Sequence, residues 1–372
     1  MSGTKIAAVF MRGGTSKGLF FHERDLPADT TLRDRLLLTA MGSPDVYGLQ
    51  LNGMGGGVSS LSKIIIVRPS DSPAADVDYL HGQVTVERPV IDYSANCGNL
   101  SGAVGPFAIA EALVAAMEGE TLVRLRNLNT GDIIHARVPV ARGKPLNAGD
   151  FRFPGVGGVC GAKITLDYIR PGDGTLFPTG LLRETLEVDG AAVEVTLGLA
   201  PLPTVWLRAG DLGLSGCETP DEINDDKQLM ARLDAIRRHG AVRMGLAATP
   251  QAAPEASPKI GVLAPAVGYA ALDGSAVGTQ DIDLVARVIS MGAIHKALPL
   301  ACAMNLAAIA LVEGSLPHAL AGGASGRVRL GSPSGVITLS ARIEGGPPAP
   351  TVTSIGVETT ARRLMEGFVY GD

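Results

Sequence analysis

A chain of 372 residues is too long for one ordinary hydrophobic core and predicts two domains. Hydrophobic residues make up 46%, which excludes global disorder, while 48 glycines and only 4% aromatics demand close packing of small residues and many turns. The formal net charge of −5, with no long basic cluster, excludes a surface built to follow a phosphate backbone, so no nucleic-acid partner is expected.

The four cysteines, Cys97, Cys160, Cys217 and Cys302, form no Cys-x-x-Cys pair and have no histidine at metal-ligand spacing. Neither a zinc site nor a disulfide framework is expected, and no metal or cofactor is implied. The first ten residues hold one lysine and an apolar run too short for a signal peptide. The longest uncharged apolar run, residues 297–312, contains Pro299 and Asn305 and falls short of the ~20 residues a membrane helix needs. A soluble cytoplasmic protein without membrane contact is expected. Oligomeric state is not written in the sequence, and a homo-oligomer stays open.

In chain order, residues 5–10 alternate as a strand and 19–21 resume one. The turn between them is Arg12-Gly13-Gly14-Thr15-Ser16-Lys17-Gly18, so the segment reads as a hairpin. Residues 34–41 predict a short helix, stopped by Gly42-Ser43-Pro44-Asp45. A second glycine-rich turn, residues 53–57, delivers Ser59, Ser60, Ser62 and Lys63 to the β-branched strand 64–67. Strands follow at 76–86 and 90–93. Then comes Asn96-Cys97-Gly98-Asn99 and the apolar run 100–117, whose one charge is Glu111. As a helix that run is hydrophobic nearly all round and must be buried. Residues 121–126, 133–140 and 162–168 read as strands.

The glycine-rich segment 172–180 is the expected boundary, giving an N-terminal domain 1–178 and a C-terminal domain 179–372 whose last strands can return to the first. The second half repeats the plan. Strands are expected at 186–188, 193–197 and 205–208, an amphipathic helix at 225–239, a strand at 259–263 and a helix at 281–291. The second apolar helix follows at 297–312, then strands at 328–330 and 336–343 and a strand pair at 354–370. Two buried helices among many short strands predict an α+β fold of two similar halves, each a barrel-like sheet wrapped around one helix. The helix mouths are expected to face a ligand cleft between the halves.

Cys97 stands at the predicted N-terminal mouth of the first buried helix. Unpaired N–H groups and the positive end of the helix dipole favour a thiolate there, and Gly98 lets the backbone approach a ligand. The alternative is a small buried hydrophobe in a tight turn. Lys63 opens an apolar strand, where desolvation of the ammonium favours the neutral amine, a usable base. The alternative is an ordinary solvated lysine. Arg12, Thr15, Ser16 and Lys17 suit carboxylate recognition, although the turn lacks Walker spacing. The 53–57 turn is no dinucleotide fingerprint. Either is equally a plain hairpin turn. His295-Lys296 ahead of the second helix would hold an anion or cap a surface loop. Cys302 lies inside that helix and reads as core.

Five segments together resemble one family. They are the Arg12 to Gly18 turn, Ser62-Lys63, Asn96-Cys97-Gly98-Asn99, Phe177-Pro178-Thr179-Gly180, and Ala361-Arg362-Arg363-Leu364-Met365-Glu366-Gly367. They resemble the 2-methylaconitate cis-trans isomerase (PrpF) family, which also contains methylitaconate Δ-isomerase, 4-oxalomesaconate tautomerase and aconitate isomerases. The resemblance runs over essentially the whole chain. It implies the diaminopimelate-epimerase-like fold and a cofactor-independent isomerase of small unsaturated di- or tricarboxylates. It also implies Lys63 as base and Cys97 beside the substrate. Around them, Arg12, Thr15, Ser16, Lys17, Asn96, Gly98, Asn99, Thr179, Gly180 and His295 are expected to bind the substrate, with Ser59, Ser60 and Ser62 as candidate anion donors beside the glycine run. Diaminopimelate epimerase carries a second cysteine at the other helix mouth; this chain has none around residues 298–300, which argues against amino-acid racemisation. The stretches Asn99-Leu100-Ser101 and Ser290-Met291-Gly292-Ala293-Ile294-His295 look more like the methylaconitate and methylitaconate members than the tautomerases. A 4-oxalomesaconate tautomerase is the first alternative. A carboxylate-binding accessory protein for a dehydratase is the second, and the joint presence of Lys63 and Cys97 favours the enzyme.

Overall fold

The computed structural model describes residues 4–94, 96–158, 160–290, 292–347 and 349–371. The chain forms two compact units, Met1–Ile169 with Glu358–Asp372, and Arg170–Val357. Within the second unit, Arg170 N–H donates to Thr353 O at 2.8 Å and Val352 N–H to Gly174 O at 2.9 Å, so the chain joins that unit's backbone network directly after Ile169.

The first unit is built on one curved sheet. Its strands are β1 (Thr4–Gly13), β2 (Ser16–His22), β3 (Lys63–Pro69), β4 (Val77–Val84), β5 (Gly119–Asn127), β6 (Ile133–Ala141) and β7 (Ile164–Ile169), with the C-terminal strand Ala361–Gly371 beside β1. From the C-terminal strand to β7 the neighbours run antiparallel, antiparallel, parallel, antiparallel, parallel, antiparallel, antiparallel. Helix α1 (Thr30–Met41) covers the outer face, where Leu36, Leu37 and Met41 cluster with Phe10, Leu19, Phe21, Ile64 and Ile66. Helix α2 (Gly98–Ala110) lies on the inner face and touches β1, β2, β3, β5, β6, β7 and the C-terminal strand. A strand covered on both faces has no polar side, which is why Lys63–Pro69 opens with an unbroken apolar run after its lysine.

Ten consecutive α2 residues, from Leu100 to Ile109, are buried. Each large apolar side chain so buried contributes about 1.5–3 kcal/mol. Two glycines let the strands close in: a Cβ at Gly105 would stand 2.9 Å from Val138 Cγ2, and one at Gly102 2.7 Å from Thr359 Cγ2. The helix is shorter than the apolar run. It ends at Ala110 because Ala112 turns left-handed (φ 56°) and Leu113 N–H folds back to Ala108 O at 2.8 Å. Residues 111–117 leave the core, and Met117 is exposed.

The second unit repeats this order. Glu184–Val188, Ala191–Gly198, Thr204–Arg208, Lys259–Pro265, Leu284–Ser290, Arg327–Ser332, Gly335–Glu344 and Thr351–Thr359 follow the same seven pairing senses. Lys227–Arg243 is the counterpart of α1 and Leu300–Ala310 of α2. The helix core is buried from Cys302 to Ala310. Its one amide, Asn305, accepts from Trp206 Nε1 at 2.7 Å and donates to Ala200 O at 2.9 Å. The expected pair of sheet-wrapped helices is therefore the observed fold. The helix expected at 281–291 is instead the strand Leu284–Ser290. Six of its seven residues are buried, so its apolar residues carry no period, and β-branched Val285, Val288 and Ile289 settle it as a central strand. Met291 lies outside the described residues. Among the described residues no helix is long and apolar enough to cross a membrane.

The hairpin tip and the start of α2 meet at backbone distance. A Cβ at Gly13 would stand 2.4 Å from Asn99 O and 3.1 Å from Leu100 Cα. Gly13→Ala is expected to lower stability by about 1–3 kcal/mol in denaturant unfolding. Gly157→Ala, whose methyl meets open space, should stay within about 0.5 kcal/mol of wild type. Equal stabilities for the two variants would contradict this packing.

Candidate active site

Strand alternation decides which side chains can meet. Phe20 packs its ring 5.5 Å from Phe107 of α2, so Ser16, Gly18 and Phe20 share the inner face of β2. Register sets Lys63 opposite Gly18 and Gln83 opposite Lys63. Paired residues share a face, so Lys63 and Gln83 also look toward α2. Gly18 is required there: a Cβ would stand 2.3 Å from Lys63 O and 3.2 Å from Lys63 Cβ.

Lys63 is 8% exposed, and its Nζ donates to Gln83 Oε1. Gln83 is itself fixed, because its Nε2 donates to Ser62 O at 2.9 Å and Ser59 O at 3.1 Å. With the amide N–H groups committed to carbonyls, only the oxygen can face the lysine.

Cys97 caps the start of α2 in an extended conformation, with no side-chain hydrogen bond to the helix. Its carbonyl accepts the Ser101 N–H at 3.0 Å, and its Sγ lies 3.9 Å from Ser16 Oγ. Ser16 is two residues from Gly18, about 7 Å along the strand. Lys63 and Cys97 are thus brought to one face of β2 at the mouth of α2. The remaining mouth residues hold the backbone. Asn99 Nδ2 donates to Thr15 Oγ1 at 3.0 Å. The Tyr79 and Ser101 hydroxyls hydrogen-bond each other at 2.7 Å, and both lie near Asn96 Oδ1, at 3.2 and 3.3 Å, which accepts from whichever proton is free. Burial raises the pKa of Tyr79 and of Tyr168, whose hydroxyl lies beside Ser101 without a hydrogen bond among the described residues. Both phenols stay neutral in this pocket.

Several expected site residues lie elsewhere. Arg12 and Lys17 are a register pair on the opposite face of the hairpin from Ser16. Arg12 Nη1 donates to Gly14 O and Thr360 O, both at 3.0 Å, and burial and Arg362 lower its pKa. Lys17 Nζ sits 5.4 Å from the centre of the outer Phe10 ring. The turn is therefore not one donor cluster, because the pleat sends its cations away from its hydroxyl. Ser62 is wholly buried and gives its hydroxyl to Gln50 Oε1, which also accepts Gly57 N–H at 3.0 Å. The 53–57 turn is thus held by a glutamine, and Ser62 is no anion donor. Ser59 is exposed and Ser60 half-buried in the turn before β3.

Thr179, Gly180 and His295 belong to the second unit. Thr179 Oγ1 bonds Glu184 and accepts the Leu181 N–H at 3.3 Å, and Gly180 takes a left-handed φ of 74°. His295 is exposed, on the loop ahead of the Leu300–Ala310 helix, and its Nδ1 accepts the Ala297 N–H at 3.0 Å. A cavity of about 630 Å³ lined by His22, Arg24, Arg33 and Arg68 lies at the far end of β2 from Ser16 and holds none of the mouth residues. Among the described residues no three His, Cys, Asp or Glu side chains cluster as a metal site requires.

Gln83, Tyr79 and Gln50 escaped the sequence reading. Each acts across the sheet or a loop on a residue far away in the chain, and nothing in its neighbours marks it.

A family model described as PrpF protein matches residues 3–372. The chain belongs to the PrpF family. This family member is 40% identical to a 2-methyl-aconitate isomerase of Shewanella oneidensis, over 98% of its own length and 96% of the relative's. It is 39% identical to a 4-oxalomesaconate tautomerase of Pseudomonas putida, over 99% and 97%. The crystal structure of methylitaconate-delta-isomerase matches with a TM-score of 0.89 at 36% identity, over 100% of this chain and 96% of that one. A hydroxyproline epimerase at 11% identity and TM-score 0.53, over 98% and 92%, shares the fold alone. The PrpF-family chain is thus a small-molecule isomerase with the diaminopimelate-epimerase-like fold.

The cysteines differ sharply in environment. Cys302 is wholly buried, and burial pushes its thiol up to about 12, so at pH 8 it stays protonated and covered. Cys160 is exposed and Cys97 partly so. Iodoacetamide at pH 8 should alkylate Cys160 and Cys97 in the native protein and Cys302 only after unfolding, read by peptide mass mapping. Native alkylation of Cys302 at the rate of Cys160 would contradict the packing.

Proposed function

We propose that this isomerase moves an allylic proton of a small unsaturated di- or tricarboxylate, without a cofactor, using Lys63 as the base. The observation that carries the reading is the shared inner face of Lys63 and Cys97 at the mouth of α2. The substrates favoured are 2-methylaconitate and methylitaconate, after the relatives that act on them. Tautomerisation of 4-oxalomesaconate needs the same proton transfer and is the second reading, supported by a relative of nearly equal identity.

The neutral amine of Lys63 takes a proton from the carbon next to the C=C bond and becomes an ammonium. The C–H electron pair delocalises through the double bond into a carboxylate, giving a dienolate. The ammonium then returns a proton. Delivery to a different carbon shifts the double bond; rotation in the dienolate and delivery to the original carbon exchanges cis and trans. Gln83 Oε1 accepts from the ammonium and aims it. The uncapped first turn of α2 offers N–H groups and the positive dipole end to the developing anion. Ser16 and Cys97 add a hydroxyl and a thiol at the same mouth. In this reading the anion is held by the helix mouth, in place of the Arg12 and Lys17 side chains. His295, for its place ahead of the second buried helix, and Thr179 and Gly180, in a segment shared with the family, are further proposed substrate contacts.

Lys63→Met should abolish both isomerisation and exchange of the allylic protons with deuterated water, a loss of at least ~10²–10⁴-fold. Cys97→Ser keeps a hydroxyl donor and should leave measurable exchange. Proton NMR of 2-methylaconitate, methylitaconate and 4-oxalomesaconate with each variant reads both quantities. Near wild-type exchange by Lys63→Met would sink the assignment of the base.

Gln83→Leu removes the group that aims the lysine but leaves the lysine itself. It should lower kcat by roughly 10²-fold, as expected for a misplaced catalytic group, with a smaller change in KM. An unchanged kcat would show that Lys63 needs no positioning partner.

A further inference from the structure

The hydrogen bonds that orient Lys63 continue beyond Gln83. Lys63 Nζ donates to Gln83 Oε1, and Gln83 Nε2 donates to Ser62 O at 2.9 Å. Ser62 thus acts on the lysine twice, as its chain neighbour and through the glutamine. Its carbonyl also accepts the Val84 N–H at 3.0 Å, so this one peptide ties the head of β3 to β4. The backbone at Ser62 is irregular, with φ −124° and ψ 67°, and regular strand begins only after it.

Gln50 holds that peptide in place. The wholly buried Ser62 hydroxyl donates to Gln50 Oε1, which also accepts Gly57 N–H at 3.0 Å, and Gln50 Nε2 donates to Ser43 Oγ at 2.7 Å. The amide has one orientation, because a flip would set its NH2 against the Gly57 N–H. Gln50 is 1% exposed, and its backbone is left-handed (φ 53°), which a non-glycine residue keeps only where its surroundings hold it. Asp45 supplies that hold, accepting the Tyr47, Leu49 and Gln50 N–H groups at 2.9, 3.0 and 2.6 Å.

We propose that Gln50 is a positioning residue for Lys63, acting through the Ser62 hydroxyl and Gln83. The inference rests on Lys63 as the base and brings the loop before β3 into the machinery that aims it. With Gln50 in place the Ser62 peptide is fixed, Gln83 keeps its oxygen toward the lysine, and the amine takes and returns the proton along one line. Without Gln50 the buried Ser62 hydroxyl loses its acceptor and turns, with its peptide, toward another one. The Gln83 amide then loses part of its anchor, and the amine spends less time aligned with the reacting carbon.

Steady-state kinetics of the full chain test this, on whichever of 2-methylaconitate, methylitaconate and 4-oxalomesaconate the wild type turns over fastest. Gln50→Leu should lower kcat by about tenfold and leave KM within about twofold. The loss is smaller than that of Gln83→Leu, because Ser59 O and Val84 O still hold the Gln83 amide, at 3.1 and 3.2 Å. Ser62→Ala, which deletes only the linking hydroxyl, should reproduce the loss and decides the matter if Gln50→Leu does not fold. In a Gln83→Leu background either change should lower kcat by no more than about twofold further, since the last link is already gone. A residue that only held the loop would cost the same in both backgrounds, so equal losses would overturn the proposal. An unchanged kcat in both single variants, or a loss carried by KM alone, would overturn it as well. Failure of the base assignment is read separately, as proton exchange that survives in Lys63→Met; failure of the relay alone leaves Lys63→Met inactive.

Discussion

A helix with no polar face must be covered on every side, and the rest of the first unit follows from that constraint. α2 carries ten buried residues in succession, and a single flat sheet covers only one flank of a cylinder. The sheet therefore curves around it, and the glycines at 102 and 105 let strands approach where any side chain would collide. The helix end cannot be wrapped in the same way, because its first N–H groups have no partners within the helix. The mouth is thus a place where buried apolar packing meets unsatisfied polar backbone N–H groups. Cys97, Ser16 and Lys63 gather there. In the proposed mechanism, the same geometry that stabilises the core also stabilises the developing anion at its rim.

Much of this was legible in the sequence. The apolar run announced a buried helix, and the Asn96-Cys97-Gly98-Asn99 turn announced its mouth. Lys63 at the head of a β-branched strand was visible as a candidate base. What escaped was set by pairing across the sheet. Gln83 lies opposite Lys63 only through the β3–β4 register. Arg12 and Lys17 looked like partners of Ser16 because they are neighbours in the chain, but alternate residues of a strand face opposite ways. Ser62 looked free beside a glycine turn, and Gln50, twelve residues earlier, takes its hydroxyl. The segment 281–291 failed for a related reason. A strand buried on both faces shows no alternation, so pattern alone does not separate it from a helix.

The repeat adds a comparison that the chain makes with itself. Both units keep the strand order, the outer helix, the buried helix and the lysine that opens the fourth strand in sheet order. They differ at the mouth. The first buried helix starts after Cys97, the second after Pro299, which has neither a thiol nor an N–H to offer. The two lysines then diverge: one donates to a glutamine near a mouth with a thiol, the other pairs in register with Thr204 beside the buried thiol of Cys302. One architecture thus supports two environments for the same side chain, and the difference lies in a few residues around it.

The account rests on the mouth of α2 being where the reacting carbon sits. A crystal structure of the chain with tricarballylate, a saturated tricarboxylate that the chemistry leaves intact, tests this most directly. The account predicts a carboxylate at the first turn of α2, with Lys63 Nζ about 3–3.5 Å from a backbone carbon of the ligand and Cys97 on the same ligand. A ligand bound away from α2, with Lys63 still turned to Gln83 and out of its reach, would contradict it.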